Sequence, residues 1–428
     1  MAELPSGSRR AVLVVVGIVF LDLLGFGVII PILPFYVRSF GVSDLFIGLL
    51  AASYSFAQFL TAPVLGRISD GRGRRPVLML SVGVAGVAWV VFGFAVEVGT
   101  LAGTTAAVAT LFAARLLAGA AGGNIAVAQA YIADVTPREQ RASGLGLVGA
   151  AFALGFVFGP ALGGLMASEP VIAAAREVLP GVVPATRFSL PSFAAAGLSF
   201  LAFGAAAVVL SEPERKRPAR LTSFVAGVRE SLDDPNLRPL VLAFFLASFA
   251  FAGTQVMFVP FVADFFGYDA TGAALLLTYI GVLGTVNQGV LIGRLAGRFG
   301  ASRVVLAGVA SLFVSLVLLA LSPTVGRLVP TVGGPAWLTG GLVVLLAFGA
   351  LASFGNGSLT VGLSTLVSER ASEDTQGTAF GVTQGAGSLG RTLGPPLAAA
   401  AYVLVYWSPF VAGALLLLPV ALALRSRR

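Results

Sequence analysis

The stretch GRISDGRGRRPVL, residues 66–78, interrupts a long apolar region with a dense group of charges. Its charged residues are Arg67, Asp70, Arg72, Arg74 and Arg75. The whole chain of 428 residues is only 11% charged and is 57% hydrophobic, with a mean hydropathy of +0.95. Such a chain has too little polar surface to cover a water-soluble globule of this size. We therefore expect the apolar runs to lie in a bilayer and this charged stretch to lie outside it.

Apolar runs long enough to cross a bilayer recur along the chain. A spanning helix needs about 20 apolar residues, because its backbone polar groups must bond within the helix. We predict twelve spans, at residues 11–37, 44–66, 76–98, 103–134, 141–168, 191–210, 239–262, 271–293, 303–322, 337–366, 376–404 and 406–424. The first is too long for a secretory signal and is expected to be retained. The sequence predicts an all-α, multi-pass membrane protein.

The basic residues indicate how the spans are oriented. If the N-terminus is cytoplasmic, most of the 27 basic residues fall in cytoplasmic tails and loops, as the positive-inside rule expects. The exceptions are Arg38, Arg176, Arg187 and Arg327 in outer loops, and Arg115 and Arg391 within spans. We attribute the net charge of +8 to topology rather than to a nucleic-acid partner. The expected location is a prokaryotic cytoplasmic membrane, with both termini cytoplasmic.

Two residue types that carry much enzyme and metal chemistry are missing. The chain has no cysteine and no histidine, which excludes disulfides, thiolate metal sites and the commonest metal ligand. An intramembrane serine protease would need a histidine, and an aspartyl protease would need two membrane aspartates where we find one. We expect no metal, no cofactor and no enzymatic activity.

The twelve spans divide into two similar halves. The longest polar stretch, residues 211–238, predicts a cytoplasmic linker between a half at 1–210 and a half at 239–428. Three pairs of matching residues support an internal repeat: Gly66-Arg67-Ile68 with Gly293-Arg294-Leu295, Pro34 with Pro260, and Gly155-x-x-x-Gly159-Pro160 with Gly390-x-x-x-Gly394-Pro395. Two six-helix repeats are typical of transporters that work by alternating access.

Five stretches carry a resemblance that covers nearly the whole chain. Besides residues 66–78, they are LGFGVIIPILP (24–34), RLLAG (115–119), AYIADVTPREQRA (130–142) and GFVFGPALGG (155–164). Together they resemble the major facilitator superfamily, and in particular its drug:proton antiporters of the tetracycline and multidrug type. The resemblance implies a twelve-helix transporter that exchanges small amphipathic compounds for protons, driven by the proton gradient and needing no cofactor.

The resemblance gives the charged stretch a role as a cytoplasmic latch. Glycines Gly66, Gly71 and Gly73 would supply tight backbone geometry. Asp70 would face the start of the eleventh span near Gln376, where a helix dipole favours an anion by about 0.3–1 kcal/mol. Arg74 would reach Asp134. These contacts would bias a two-state equilibrium, whereas the alternative is that the arginines only anchor topology.

Three charges stand out deep within predicted spans, where charges are costly and usually functional. Asp22 in the first span is the proposed proton-coupling site, and the alternative is a permanent structural ion pair. Arg115 in the fourth span matches an arginine that the family uses in proton coupling; a static interhelical hydrogen bond is the other interpretation. Arg391 would contact substrate, stabilise the region between the second and eleventh spans, or pair with an acid.

The fifth span and a set of neutral polar residues complete the predicted site. Small residues at four-residue spacing allow close helix packing, and proline permits a kink, so the fifth span is expected to pack and move during transport. This antiport motif comprises Gly155, Gly159, Pro160, Gly163 and Gly164. Amides at mid-span height suit an amphipathic substrate. The candidates for the substrate cavity, with Arg391, are Asn124, Gln129, Gln255, Asn287, Asn356 and Gln384.

Two other functions stay open at this point. A proton-coupled importer of a sugar or organic anion would share the fold, since no residue in the sequence fixes the direction of transport. A sensor that does not transport would share the fold too, but the signature loop and the buried charges argue against it. We expect a monomer that binds a small molecule, protons and membrane lipids.

Overall fold

The computed structural model describes residues 6–137, 141–213, 232–329, 339–371 and 376–425. Within these ranges every regular element is helical and no strand occurs. This agrees with an apolar chain whose backbone polar groups must be satisfied inside each segment. The predicted all-α class is confirmed.

The helices of the N-terminal part begin and end close to turns formed by proline or glycine. They are α1 (Ser6–Ile29), α2 (Leu33–Ser39), α3 (Leu45–Arg72), α4 (Arg74–Gly93), α5 (Ala95–Ala102), α6 (Thr104–Ala121), α7 (Asn124–Val135), α8 (Arg141–Met166), α9 (Glu169–Val178) and α10 (Ser189–Val209).

The C-terminal part continues with longer helices and one π-helical segment. These are α11 (Arg238–Phe266), α12 (Ala270–Val286), the π-helix Asn287–Leu291, α13 (Ile292–Phe299), α14 (Ala301–Leu328), α15 (Gly340–Arg370), α16 (Gln376–Leu404), α17 (Ser408–Leu416) and α18 (Leu418–Arg425).

Ten helical segments in the described part of the chain are long and apolar enough to cross a membrane. They correspond to the first ten predicted spans. The eleventh predicted span is helix α16, which does not meet the same standard of apolarity, and the twelfth falls on the shorter apolar stretch Ser408–Leu422. The chain is a multi-pass membrane protein, and its total of twelve spans stays a prediction.

Several predicted spans are not continuous helices. The first, 11–37, ends at Ile29 and resumes at Leu33, because Pro31 has no N–H to continue the helix. The fourth, 103–134, is divided by a turn at Gly122 and Gly123. The third is likewise divided between α4 and α5, the eighth by the π-helix and the twelfth between α17 and α18. These interruptions correct the continuous spans that hydropathy alone predicts, since local backbone geometry does not change average hydropathy.

The chain forms two compact units. Unit 1 consists of Met1–Val42, Ser53–Ala219 and Ala270–Thr278, and unit 2 consists of Ser43–Ala52, Arg220–Asp269 and Tyr279–Arg428. Each unit therefore takes in one short segment that lies among the other unit's residues in the sequence. The linker at 211–238 and its boundaries stay a prediction.

In each unit, glycines allow one pair of helices to pack closely. In unit 1, a Cβ on Gly159 of α8 would lie 2.6 Å from Gly27 Cα of α1. In unit 2, a Cβ on Gly253 of α11 would lie 3.2 Å from the carbonyl oxygen of Gly394 on α16. Gly253 follows Gly27 by 226 residues, the separation of Pro34 and Pro260. Small residues thus allow one close helix pair in each unit.

Candidate functional site

Helices α1, α3, α6 and α7 bring a group of polar and aromatic side chains together inside unit 1. We call this group the buried polar cluster, and its members are Asp22, Phe26, Tyr54, Arg115 and Asn124. Asp22 is 8% exposed, Arg115 is 4% exposed and Asn124 is 2% exposed. Burying two charged groups is costly unless each has polar or π partners, so we expect both Asp22 and Arg115 to have such partners within the cluster.

Asp22 has a specific partner at the start of α7. Its carboxylate accepts a hydrogen bond from the side chain of Asn124. The other polar atom of that amide, Oδ1 of Asn124, is buried and has no hydrogen-bond partner among the described residues. Sequence analysis placed Asn124 in the substrate cavity, but the structure places it against the predicted proton site.

Arg115 lies against aromatic rings. Its guanidinium carbon is 4.7 Å from the ring centre of Tyr54 and 5.5 Å from that of Phe26. The two rings are themselves in contact, with centres 4.7 Å apart. Cation–π attraction is strongest where water is excluded, as it is here. Tyr54 therefore packs its ring against the buried guanidinium.

The break between α6 and α7 lies beside this cluster. A Cβ on Gly122 would lie 2.6 Å from the hydroxyl oxygen of Tyr54, so glycine leaves room for that hydroxyl. Gln58 Nε2 donates to the carbonyl of Gly122 at 2.9 Å, and the hydroxyl of Thr61 donates to the carbonyl of Ala120 at 3.0 Å. Side chains of α3 therefore satisfy backbone groups at the turn, which is how broken helices are tolerated in membranes.

The signature stretch is more helical than the sequence suggests. Helix α3 continues to Arg72, so Gly66 and Gly71 lie inside a helix instead of forming a tight loop. The turn is made by Gly73 alone, which has φ of +122°. That conformation is strained for residues with a Cβ. The expectation of three turn glycines is therefore wrong for two of them.

Arg74 joins two helices at this turn. Its Nη1 lies 2.6 Å from Asp70 Oδ1 on α3, and its Nε donates to Asp134 Oδ2 on α7 at 3.0 Å. Nη1 also donates to the hydroxyl of Ser69 at 2.6 Å. The structure thus brings together three of the four predicted latch residues. The fourth, Gly66, lies further back in α3, and the side chain of Gln376, the expected partner of Asp70, lies outside the described residues.

A carboxylate that the sequence analysis did not single out caps helix α4. Glu212 Oε1 accepts from the backbone N–H of Arg74 at 2.7 Å, and Oε2 accepts from that of Arg75 at 3.0 Å. A Cβ on Gly73 would lie 2.7 Å from Glu212 Oε2, which gives a second reason for glycine there. Arg75 Nη2 also donates to the carbonyl of Ala207 at 2.7 Å. The start of the predicted linker is thereby attached to the signature turn.

The glycine run of α8 packs directly on the backbone of α1. A Cβ on Gly155 would lie 2.8 Å from Leu23 Cβ, and one on Gly163 would overlap the carbonyl oxygen of Val28. Gly164 points elsewhere, since its Cβ would lie 2.6 Å from Ala274 Cβ in α12. Pro160 lies inside α8, directly after Gly159 in the sequence. The predicted close packing of this run is present, and its movement stays a prediction.

The remaining cavity candidates are dispersed. Gln129 and Gln384 are exposed, whereas Gln255, Asn287 and Asn356 are half-buried. Asn287 begins the π-helix and donates through Nδ2 to the hydroxyl of Ser353 at 3.2 Å. Arg391 is exposed on α16 and donates through Nη2 to the hydroxyl of Ser388 at 2.8 Å.

Two members of the site were missed by sequence reasoning. Tyr54 precedes Gln58 by one helical turn, so a polar pair on one face of α3 was a usable signal. Glu212 lies at the start of a stretch interpreted as a linker, and its spacing from Gly73 carries no signal in the sequence. Only the fold brings Tyr54 into contact with Arg115, and Glu212 into contact with the start of α4.

Ionisable groups buried inside membrane spans are typical of transporters, among other membrane proteins. The sequence matches the Major Facilitator Superfamily over residues 15–395, and the chain belongs to that family. It is a transporter and not an enzyme. The predicted membership is confirmed.

Similarity to individual proteins is extensive. The chain is 31% identical to the tetracycline resistance protein, class C, of Escherichia coli, over 92% of this chain and 90% of that protein. The structure of the human organic anion transporter MFSD10 is similar with a TM-score of 0.66 at 25% identity, covering 98% of this chain and 100% of that chain. A bacterial homologue of the lysosomal transporter Spinster shares the fold, with a TM-score of 0.74 at 18% identity over 99% of this chain and 98% of that one. The tetracycline resistance relatives support the drug:proton antiporter branch.

Proposed function

We propose that this protein exports small amphipathic compounds in exchange for protons by alternating access. The observation that carries the proposal is the buried polar cluster. Asp22 is the proton-coupling carboxylate, and Asn124 holds it in place when it is charged. Arg115 keeps its positive charge throughout, because a guanidinium does not lose its proton in proteins, and the rings of Tyr54 and Phe26 hold it in the cluster.

The cluster can work as a proton switch because its partners respond to the charge of Asp22. The charged carboxylate gains from the hydrogen bond of Asn124, whereas the neutral acid loses most of that gain. Protonation would therefore change the energy of the conformation that holds these helices together, which is what coupling requires. The break at Gly122 lies next to this group and allows α7 to change direction relative to α6.

The signature turn supplies a second element of the proposed mechanism. Arg74 holds α3 and α7 together through two carboxylates, and Glu212 fixes the start of α4. We propose that this group is cytoplasmic and acts as the latch of one conformation. The protein would lie in a prokaryotic cytoplasmic membrane as a monomer with both termini cytoplasmic. It would use the proton gradient and no cofactor.

The test uses everted membrane vesicles that carry the full chain and acidify their interior by respiration. An acridine dye reports the gradient, and tetracycline and a panel of other amphipathic drugs are added outside. Export by proton exchange releases protons from the vesicle, so an active compound dequenches the dye. A proton-coupled importer would carry substrate and protons inward together and deepen the quenching. Deeper quenching, or no response to any compound, contradicts the proposal.

A further inference from the structure

Helix α16 in unit 2 carries a polar stripe. Gln384, Ser388 and Arg391 follow one another at spacings of four and three residues, which places them on one helix face. Gln384 and Arg391 are exposed and Ser388 is half-buried. Amides and guanidinium groups in a spanning helix seldom face hydrocarbon, so we expect this face of the predicted eleventh span to contact water or a ligand.

Arg391 has neutral neighbours. Its Nη2 donates to the hydroxyl of Ser388 at 2.8 Å. Gly387 lies close to both this guanidinium and α11, since a Cβ there would lie 3.4 Å from Arg391 Nη1 and 3.1 Å from the hydroxyl of Ser248. Within the described ranges, no carboxylate lies at ion-pair distance from Arg391.

The internal repeat explains why no acid is opposite this arginine. Ser248 follows Asp22 by 226 residues, the offset that relates Gly27 to Gly253. A neutral serine therefore occupies in unit 2 the position of the buried acid in unit 1. Arg391 is thus an exposed cation within a helix, with the hydroxyl of Ser388 beside it.

We propose that Arg391, with Ser388, binds the negatively charged group of the transported compound, so that the preferred substrates are organic anions. This inference rests on the proposed function and specifies its substrate class. A guanidinium offers a planar pair of N–H donors that fits a carboxylate or sulfonate in a bidentate manner. The hydroxyl of Ser388 orients the guanidinium and adds a polar contact at the same level.

The proposal predicts how much net charge crosses the membrane in each exchange. When one monovalent anion leaves the cell and one proton enters, two positive charges move inward in effect. An inside-negative membrane potential then drives the exchange. Exchange of a monovalent cation for one proton moves no net charge and does not respond to the potential.

The experiment uses purified full-length protein in proteoliposomes, with two probes that share one ring system and keep a fixed charge at every pH. These are naphthalene-1-sulfonate and 1-naphthyltrimethylammonium, with tetracycline as a third compound. Wild type is compared with Arg391→Gln, Arg391→Lys and the control Arg327→Gln, an exposed arginine of α14. Thermal unfolding of each variant checks that it is folded.

We expect wild type to transport the sulfonate in preference to the ammonium compound, at a rate that rises when the side receiving the proton is made negative. Arg391→Gln should lower sulfonate transport by about tenfold or more through a higher KM, and Arg391→Lys should restore part of it. Arg327→Gln should match wild type.

The outcomes separate this inference from the function on which it rests. Equal sulfonate transport by wild type and Arg391→Gln overturns the role of Arg391. Proton exchange with tetracycline or the ammonium compound, but none with the sulfonate, overturns the anion preference and leaves antiport intact. A wild-type protein that exchanges protons for none of the three compounds contradicts the proposed function itself.

Discussion

The carboxylate of Asp22 and the amide of Asn124 are joined by a hydrogen bond between α1 and the first residue of α7. Both side chains are buried. The pair connects the candidate proton site to the turn that divides the fourth predicted span. Substitutions of Asp22 and of Asn124 test the contribution of each residue to this contact separately.

Replacing Asn124 with alanine should impair proton-coupled transport. A hydrogen bond to a charged group contributes about 1.5–3 kcal/mol, so we expect a loss of about tenfold or more in drug-induced proton release from everted vesicles. Asn124→Ser should recover part of it. The control is Thr110→Ala, whose hydroxyl bonds the carbonyl of Ala106 within α6. Wild-type activity in Asn124→Ala would show that this bond has no part in coupling.

The ring and the hydroxyl of Tyr54 should contribute differently. Tyr54→Phe keeps the ring that faces Arg115, whereas Tyr54→Leu removes it. We expect Tyr54→Leu to be less stable than Tyr54→Phe by about 0.5–2 kcal/mol, which is the range of a desolvated cation–π contact. Thermal unfolding in detergent, followed by intrinsic tryptophan fluorescence, measures the difference. Equal unfolding midpoints for the two variants would count against the contact.

Glu212 should stabilise the signature turn by capping α4. Loss of an N-terminal cap costs about 0.5–2 kcal/mol, so Glu212→Ala should unfold at a lower temperature than wild type. Glu177→Ala, at an exposed glutamate of α9, is the matched control. If both variants unfold alike, Glu212 is not a cap. Gly73→Ala should be destabilising in the wild type, and less so in Glu212→Ala, because one of its two steric conflicts is then removed.

The glycine run of α8 should tolerate no added side chain where it touches α1. Gly159→Ala would force the two helices apart, and overpacking of this kind costs about 1–3 kcal/mol. Gly149→Ala lies on the same helix with nothing within 4 Å of its Cβ, so it should be neutral or stabilising. Expression level and unfolding temperature of the two variants provide the measurement. A stable, active Gly159→Ala would contradict the packing that the structure shows.

The sequence predicted the membrane class, the family and most of the span positions because hydropathy and short motifs are local properties. It also singled out Asp22, Arg115, Arg74 and Asp134. It did not predict the turn at Gly122, since glycine is common throughout the chain and average hydropathy does not record a break. Glu212 was missed because its partners are backbone N–H groups far away in the sequence.

The polar residues within the spans show a further limit of sequence-based prediction, which is that the sequence does not reveal their neighbours. The sequence places Asn124 and Gln129 in the same predicted span. Only the fold shows that Asn124 is a buried partner of Asp22, whereas Gln129 is exposed. Arg391 was left with three interpretations, because its charge is visible in the sequence and its neighbours are not.

The most direct test of proton coupling compares two transport assays on Asp22→Asn and wild type at equal expression. In the first, drug-induced proton release from energised everted vesicles should be abolished by Asp22→Asn. In the second, exchange of labelled for unlabelled drug without a gradient should be retained, because it requires binding and alternating access but no net proton movement. Glu177→Gln should behave as wild type in both. Undiminished proton release by Asp22→Asn would contradict the assignment of Asp22 as the proton-coupling site.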